Sequence, residues 1–266
     1  MLTTYWYSLR EGFSRRVVLV LFGLAFLIAI GLNLIVSVSP SGSVVLGTQA
    51  LGPAGHAVPV VIGGQVDATG TLLLLLALFA AVPLLTVTLD KGWLELTFSK
   101  AQPRWKIFMG RFLGGVTFYS MTFAFATFPL ALRLWLTTRV ETWQVLVALL
   151  IQTLSFAALL SVAALATLPQ KGVALPIMVS VAILFLSSPL AGRRETYYRM
   201  FSSHFARGLV DWAYAIFPKC SELEHLCGSF IQKGDVASWW WLLWSTVVFT
   251  SATLGITLSV LNRKSF

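Results

Sequence analysis

Charge is scarce in this chain. Asp, Glu, Lys and Arg make up 11% of its 266 residues, against about 25% in a soluble domain. Together with 57% hydrophobic residues and a mean hydropathy of +0.82, that scarcity excludes an ordinary soluble globule. Cysteine is almost missing: Cys220 and Cys227 are the only two, which excludes a disulfide-dense scaffold. Acids are outnumbered, 10 to 19, by basic residues, giving a formal charge of +9. The basic residues form no single stripe and sit at the ends of apolar runs, where they orient spans and meet anionic headgroups. A nucleic-acid partner is therefore not expected.

Enzyme signatures are also lacking. There is no HExxH zinc pair, no GxSxG nucleophile turn, no paired intramembrane aspartates and no GxxxxGK[ST] phosphate loop. No catalytic residue, cofactor or metal ligand is expected in this chain. Any ATP and Mg used in its work would belong to a partner.

What is present is a series of long apolar runs. Six approach the roughly 20 residues that a membrane helix requires: 17–38, 71–89, 112–136, 143–168, 173–191 and 239–261. They are too long and too uniformly apolar for the alternating strands of a membrane barrel. The expected fold is an all-α polytopic membrane protein, a single domain over 1–266 with six transmembrane helices. The first apolar run begins only at Val17, with no small-residue cleavage site after it, so it is read as a retained helix rather than a leader. Residues 1–16 place Leu2, Tyr5, Trp6, Leu9 and Phe13 opposite Thr3, Thr4, Arg10 and Glu11. That spacing predicts an amphipathic helix at the membrane interface, the alternative being a frayed terminus with aromatic anchors.

The distribution of Lys and Arg sets the orientation. Arg10, Arg15 and Arg16 precede the first run, Lys171 lies between the fourth and fifth, and Arg263 and Lys264 follow the sixth. The 38–70 connection has no basic residue. Both termini are thus expected in the cytoplasm, with 192–238 an external loop. Residues 39–70 are rich in Gly, Pro, Ser and Val, and suit either a small extended cap or an irregular loop. In 192–238, Leu209, Trp212, Ala213 and Ile216 share an apolar face ending at Pro218. Ser221 with Glu224 resembles a capping box for a second short external helix. Cys220 and Cys227 could pair in an oxidising compartment, the alternative being two free thiols. A metal site from Cys220, His225 and Cys227 matches no established spacing.

Within the runs, no Asp, Glu or His stands mid-span to serve as a proton relay, which speaks against ion-gradient-driven transport. Arg133 is expected to snorkel toward the outer surface. Polar faces remain: Gln144, Gln152 and Ser155 with Ala148 in the fourth run, and Thr246, Thr250, Thr253 and Thr257 in the sixth. These line a pathway or mediate helix packing, and packing is the commoner use of such residues in lipid.

The densest charge in any short connection lies in 90–111, DKGWLELTFSKAQPRWKIFMGR. Its pattern of Gly92-Trp93-Leu94-Glu95, Ser99-Lys100, Pro103-Arg104-Trp105 and Gly110-Arg111-Phe112-Leu113 resembles the ABC-2 type family of transporter permeases. That family carries Gly-x-x-Glu, a Ser-Lys-Pro turn, an Arg-Trp pair and a Gly-Lys-Phe entry into span three. Here Ala101 stands where the family has proline after Ser-Lys, and Arg111 replaces the lysine. The resemblance implies the transmembrane permease subunit of an exporter in the bacterial cytoplasmic membrane. Two such chains, identical or related, would pair above two separate ABC ATPase subunits. The 90–111 segment would be the coupling loop, with Gly92, Glu95, Ser99, Lys100, Pro103, Arg104 and Trp105 as coupling residues. The implied cargo is hydrophobic or amphipathic: a lipid, drug or glycolipid. A different class remains open, a non-transporting membrane anchor or assembly subunit of an enzyme complex. Such a complex could mature an extracytoplasmic metalloprotein, with Cys220, His225 and Cys227 as the supporting residues.

Overall fold

The computed structural model describes residues 2–14, 16–39, 43–86, 104–169, 172–192, 205, 207–208, 211–212, 214, 217–233 and 239–263. In chain order these form α1 (Leu2–Ser14), α2 (Arg16–Ile35), β1 (Val36–Val38), β2 (Ser43–Leu46), β3 (Gln49–Pro53) and α3 (Ala54–Thr86). There follow α4 (Arg104–Thr138), α5 (Gln144–Ala166), α6 (Ala174–Gly192), α7 (Cys220–Lys233) and α8 (Trp239–Arg263). The protein is a helical, multi-pass membrane bundle. Five helices, namely α2 to α5 and α8, are long and apolar enough to cross a bilayer, and α6 offers a shorter apolar stretch, Ala174–Ser187. Leu19, Leu27, Leu34, Val248 and Ile256 stand exposed on α2 and α8. Such faces are stable only against lipid or protein.

Residues 39–70 meet the sequence expectation in their first part, a small extended cap, and depart from it in their second, which is helical. Strands β1 to β3 form an antiparallel meander in which Val36 pairs with Leu46 and Val38 with Val44. A two-residue turn joins β2 to β3, and Gly47 takes φ +61° there, the left-handed geometry that tight hairpins demand. Val36 and Val44 are buried on the inner face. From Ala54 the chain is helical without interruption to Thr86. At 33 residues α3 is about 50 Å long, so the expected 71–89 span is only its second half. Gly55, Pro59, Gly63, Gly64 and Gly70 gave its first half the look of a loop, since glycine and proline are poor helix formers. Tertiary packing overrides that preference. A side chain at Gly63 would press on Gln232 of α7 (3.0 Å), and one at Gly70 on the Gln152 amide of α5 (2.7 Å).

The third span likewise starts earlier than expected. Residues 104–111, assigned to the coupling loop, are the first turns of α4. Helix α1 does not lie free on a surface but runs alongside those turns in the same direction. Gly110 faces Thr4, Gly114 faces Ser8, and the Phe118 ring fills the space at Gly12. This small-residue stripe on two parallel helices lets their backbones approach closely. Beyond it α2 keeps the same partner: Phe22 and Phe26 meet Phe125 at 6.4 and 6.1 Å. Arg133 donates to the Asn33 carbonyl in the last turn of α2, where helix carbonyls lack intrahelical partners. That guanidinium thereby caps a neighbouring helix.

Candidate functional site

Helix α7 makes the site. It was expected on or dipping into an outer surface, yet it inserts among α3, α5 and α6. On α3 its register is antiparallel: Gln232 meets Gly63, Gly228 meets the Asp67 carboxylate, and Glu224 accepts from Thr71 Oγ1 at 2.8 Å. On α5, Cys220 Sγ points at the Ser155 carbonyl (3.8 Å) and Cys227 Sγ at the Ala148 carbonyl (3.9 Å). Phe230 packs on Trp143 at the edge of the bundle, ring centroids 5.8 Å apart. The helix therefore runs from the middle of α5 outward to its start. Only Gly228 allows that approach, because a Cβ there would overlap the Asp67 carboxylate.

These contacts correct two readings of the 192–238 segment. Cys220 and Cys227 are both free and fully buried, on one helix and about 10.5 Å apart along its axis. A disulfide needs Cα atoms within about 7 Å, so of the two alternatives the free thiols hold and the bridge does not. Burial pushes both thiols up, with the neighbouring Glu224 and Asp67 carboxyls adding to it, the opposite of what thiolate chemistry requires. Among the described residues no three His, Cys, Asp or Glu side chains are placed to share a metal ion. The capping box is also absent, since α7 begins at Cys220 and Ser221 already lies inside it. Glu224 turns to Thr71, while the Glu222 carboxylate accepts from the Tyr214 hydroxyl at 2.8 Å. Lys219, preceding α7, lies 4.5 Å from the Tyr214 ring centroid and 5.4 Å from that of Trp241.

The result is a polar pocket of about 270 Å³ lined by Asp67 and Thr71 of α3, Leu184 and Phe185 of α6, and Ser221, Glu224 and His225 of α7. Deeper in, the Tyr119 hydroxyl of α4 donates to Gln152 Oε1 at 3.3 Å, and Tyr119 stacks on Phe156 at 4.5 Å. Burial raises the Glu224 carboxyl above its ordinary range; the Thr71 hydrogen bond and His225 oppose that, and Asp67 adds to it. A carboxyl so placed keeps its proton to higher pH than a solvated one. The expectation that no Asp, Glu or His stands within a span is corrected by Asp67, which lies inside α3. Asp67 belongs to a helix longer than its apolar run, and α7 carries Glu224 and His225 in from a connecting segment.

A stability consequence follows, with a definite sign. A carboxyl raised in the folded state contributes fully below its unfolded value, about 4.3. That contribution is lost as pH rises through the folded value. Thermal unfolding followed by tryptophan fluorescence should show the midpoint falling as pH rises above about 4. Glu224→Gln, which can still accept from Thr71, should flatten that fall. An equal slope in the variant would remove Glu224 as its source.

The remaining candidate residues separate. Gln152 and Ser155 are buried beside this site, and Gln144 sits half-buried at the start of α5. Thr246, Thr250, Thr253 and Thr257 are buried against the bundle and donate to carbonyls of their own helix. Thr253 also shares a 2.7 Å hydrogen bond with Ser161, so this face packs α8 on α5. Of the coupling residues, Gly92, Glu95, Ser99, Lys100 and Pro103 lie outside the described residues. Arg104 opens α4, and Trp105 is partly exposed, with Lys106 Nζ 5.6 Å from its ring centroid.

Beside that segment stands Arg111, expected only as a residue at the entry to span three. Arg111, 1% exposed, donates from Nη1 to the Leu84 carbonyl at 2.7 Å and from Nη2 to Glu11 at 3.3 Å. One guanidinium thereby joins the last turn of α3, the start of α4 and helix α1. The clue available in the sequence was a lone arginine flanked by Phe108, Met109, Phe112 and Leu113. No protein-family model matches the chain, and no curated protein matches it, so the functional reading rests on these residues.

Proposed function

We propose that this chain is the transmembrane permease subunit of an ATP-driven exporter, coupled through 90–111 to a separate ABC ATPase. The observation that supports it best is the Arg111 junction. The charged segment between α3 and α4 is bracketed by two long helices whose adjoining ends are tied to one another and to α1. A displacement of that segment would move α3 and α4 as rigid bodies, as an ATPase-driven transporter requires. In this reading α6 is the sixth span and both termini face the cytoplasm of a bacterium. The exposed faces of α2 and α8 meet lipid or a second permease chain. The cargo is hydrophobic or amphipathic.

The test is affinity purification in mild detergent with mass spectrometry of everything retained. The expected result is an ATPase with its own phosphate loop, and ATP hydrolysis uncoupled from transport by Glu95→Ala or Arg104→Ala. Transport that survives replacement of 90–103, in a protein that purifies alone, would sink the proposal. The assembly-subunit alternative loses ground, because its cysteines are buried and far apart. A second reading is favoured by the Asp67–Glu224–His225 pocket: uptake or export driven by a proton gradient. In that case Glu224→Gln would abolish transport driven by an imposed pH gradient, whereas the ATP-driven reading leaves transport dependent on the ATPase.

A further inference from the structure

The two ends of the polar pocket between α3, α6 and α7 carry different chemistry. At one end stands the Asp67 carboxylate, held against α7 where Gly228 leaves room for it. It is an acid inside a long apolar helix, and acids so placed face a polar cavity rather than lipid. Among the described residues it accepts no hydrogen bond and forms no ion pair, although His225 acts on it electrostatically. At the other end stands Ser221, in the first turn of α7.

Ser221 is 7% exposed, and its hydroxyl makes no hydrogen bond among the described residues. Buried hydroxyls are normally paired. Ser221 Oγ keeps access to the pocket, whereas Glu224 Oε1, Gln152 Nε2 and Ser155 Oγ are sealed off from it. Seven residues of α7 separate Ser221 from Gly228, about 10 Å along the helix. Leu184 and Phe185 of α6 supply an apolar wall to the same pocket. Its volume of about 270 Å³ suits a ligand smaller than drug-sized molecules, which take about 300–1,000 Å³.

We infer that this pocket binds a linear amino alcohol, its ammonium on the Asp67 carboxylate, its hydroxyl on Ser221 Oγ and its methylenes along Leu184 and Phe185. A metal ion lacks a ligand set among the described residues, and an anion would face both carboxyls. A second cation at the Ser221 end would find no open carboxylate, because Glu224 Oε2 accepts from Thr71 and Oε1 is sealed, and an unpaired buried ion is costly. Equilibrium binding needs neither an ATPase nor a gradient, so the inference stands or falls separately from both transport readings.

The test uses the purified full-length protein in non-ionic detergent, with saturable binding of tritiated aminopentanol, amine and hydroxyl at opposite ends, measured by scintillation proximity. Unlabelled aminopentanol, pentylamine and pentanol serve as competitors. Pentylamine, which lacks the hydroxyl, should compete roughly tenfold less well than aminopentanol, as expected for one buried hydrogen bond. Pentanol, which lacks the charge, should be weaker again by at least about tenfold. Ser221→Ala should erase the preference for aminopentanol over pentylamine. Asp67→Asn, which keeps the shape and removes the charge, should abolish saturable binding while the thermal midpoint is retained. Absence of saturable binding at millimolar concentration, or equal competition by pentanol, would overturn the inference on the unaltered protein alone. So would a preference for aminopentanol that persists in Ser221→Ala.

Discussion

Arg111→Ala is expected to destabilise the protein by about 3 kcal/mol, the largest effect foreseen for a single side chain here. The guanidinium is 1% exposed and, among the described residues, serves two partners on two other helices. One is the carbonyl of Leu84, near the end of α3 at Thr86. The other is Glu11, whose side chain is 23% exposed. Alanine would deprive the carbonyl and the carboxylate of this cation, and would open a cavity among buried residues such as Phe108 and Phe112. Arg111→Lys should cost less, about 1–2 kcal/mol, because a single ammonium cannot reproduce the fork. Glu11→Gln should cost under about 1 kcal/mol, its carboxylate being partly solvated. Denaturant titration in mixed micelles measures these values, and limited proteolysis within 2–14 reports whether α1 has come away. A loss below about 0.5 kcal/mol for Arg111→Ala, the level of an ordinary surface change, would show the junction to be incidental.

Gly12→Ala should be nearly as damaging, with a loss of about 2–3 kcal/mol from overpacking. The added methyl would overlap the Phe118 ring, which is 3% exposed and held edge-on against Phe13 at 5.0 Å. An aromatic ring so enclosed cannot swing aside as the tip of a lysine would. Gly23→Ala is the matched control: its Cβ meets nothing within 4 Å. It should be neutral or stabilising by up to about 1 kcal/mol through helix propensity. Pairing Gly12→Ala with Phe118→Leu should recover part of the loss, an interaction visible as non-additivity in a double-mutant cycle. Equal behaviour of the two alanine variants would contradict the close α1–α4 packing. If the exporter proposal holds, Gly12→Ala should also impair coupling, since α1 would no longer follow the start of α4.

Much of the architecture was legible in the residues because lipid imposes a simple rule. Apolar runs of sufficient length must become helices whose backbones satisfy themselves, and five of the runs overlap candidate spans. The amphipathic spacing in 1–16 identified α1, and the helical character of 220–233 was foreseen in part. The early start of α3 was not, because four glycines and a proline in 54–70 carry no helical signal by themselves. Those glycines matter only through what lies opposite: Gln232, Gln152, and the open space beside Gly64. Burial of the cysteines was equally invisible, since two cysteines seven residues apart suit a bridged loop as readily as one face of a helix.

The sequence by itself determined that this is a membrane protein of several helical spans, with its densest short charged segment between the second and third. Composition and run length act locally and need no partner to be read. Only the tertiary structure decided where the polar chemistry lies. Asp67 stands on α3, Glu224 and His225 on α7, Gln152 on α5 and Tyr119 on α4, separated by up to 158 residues in the chain (225 minus 67). Their meeting depends on glycine contacts and helix registers set by packing between distant elements, which no local pattern encodes.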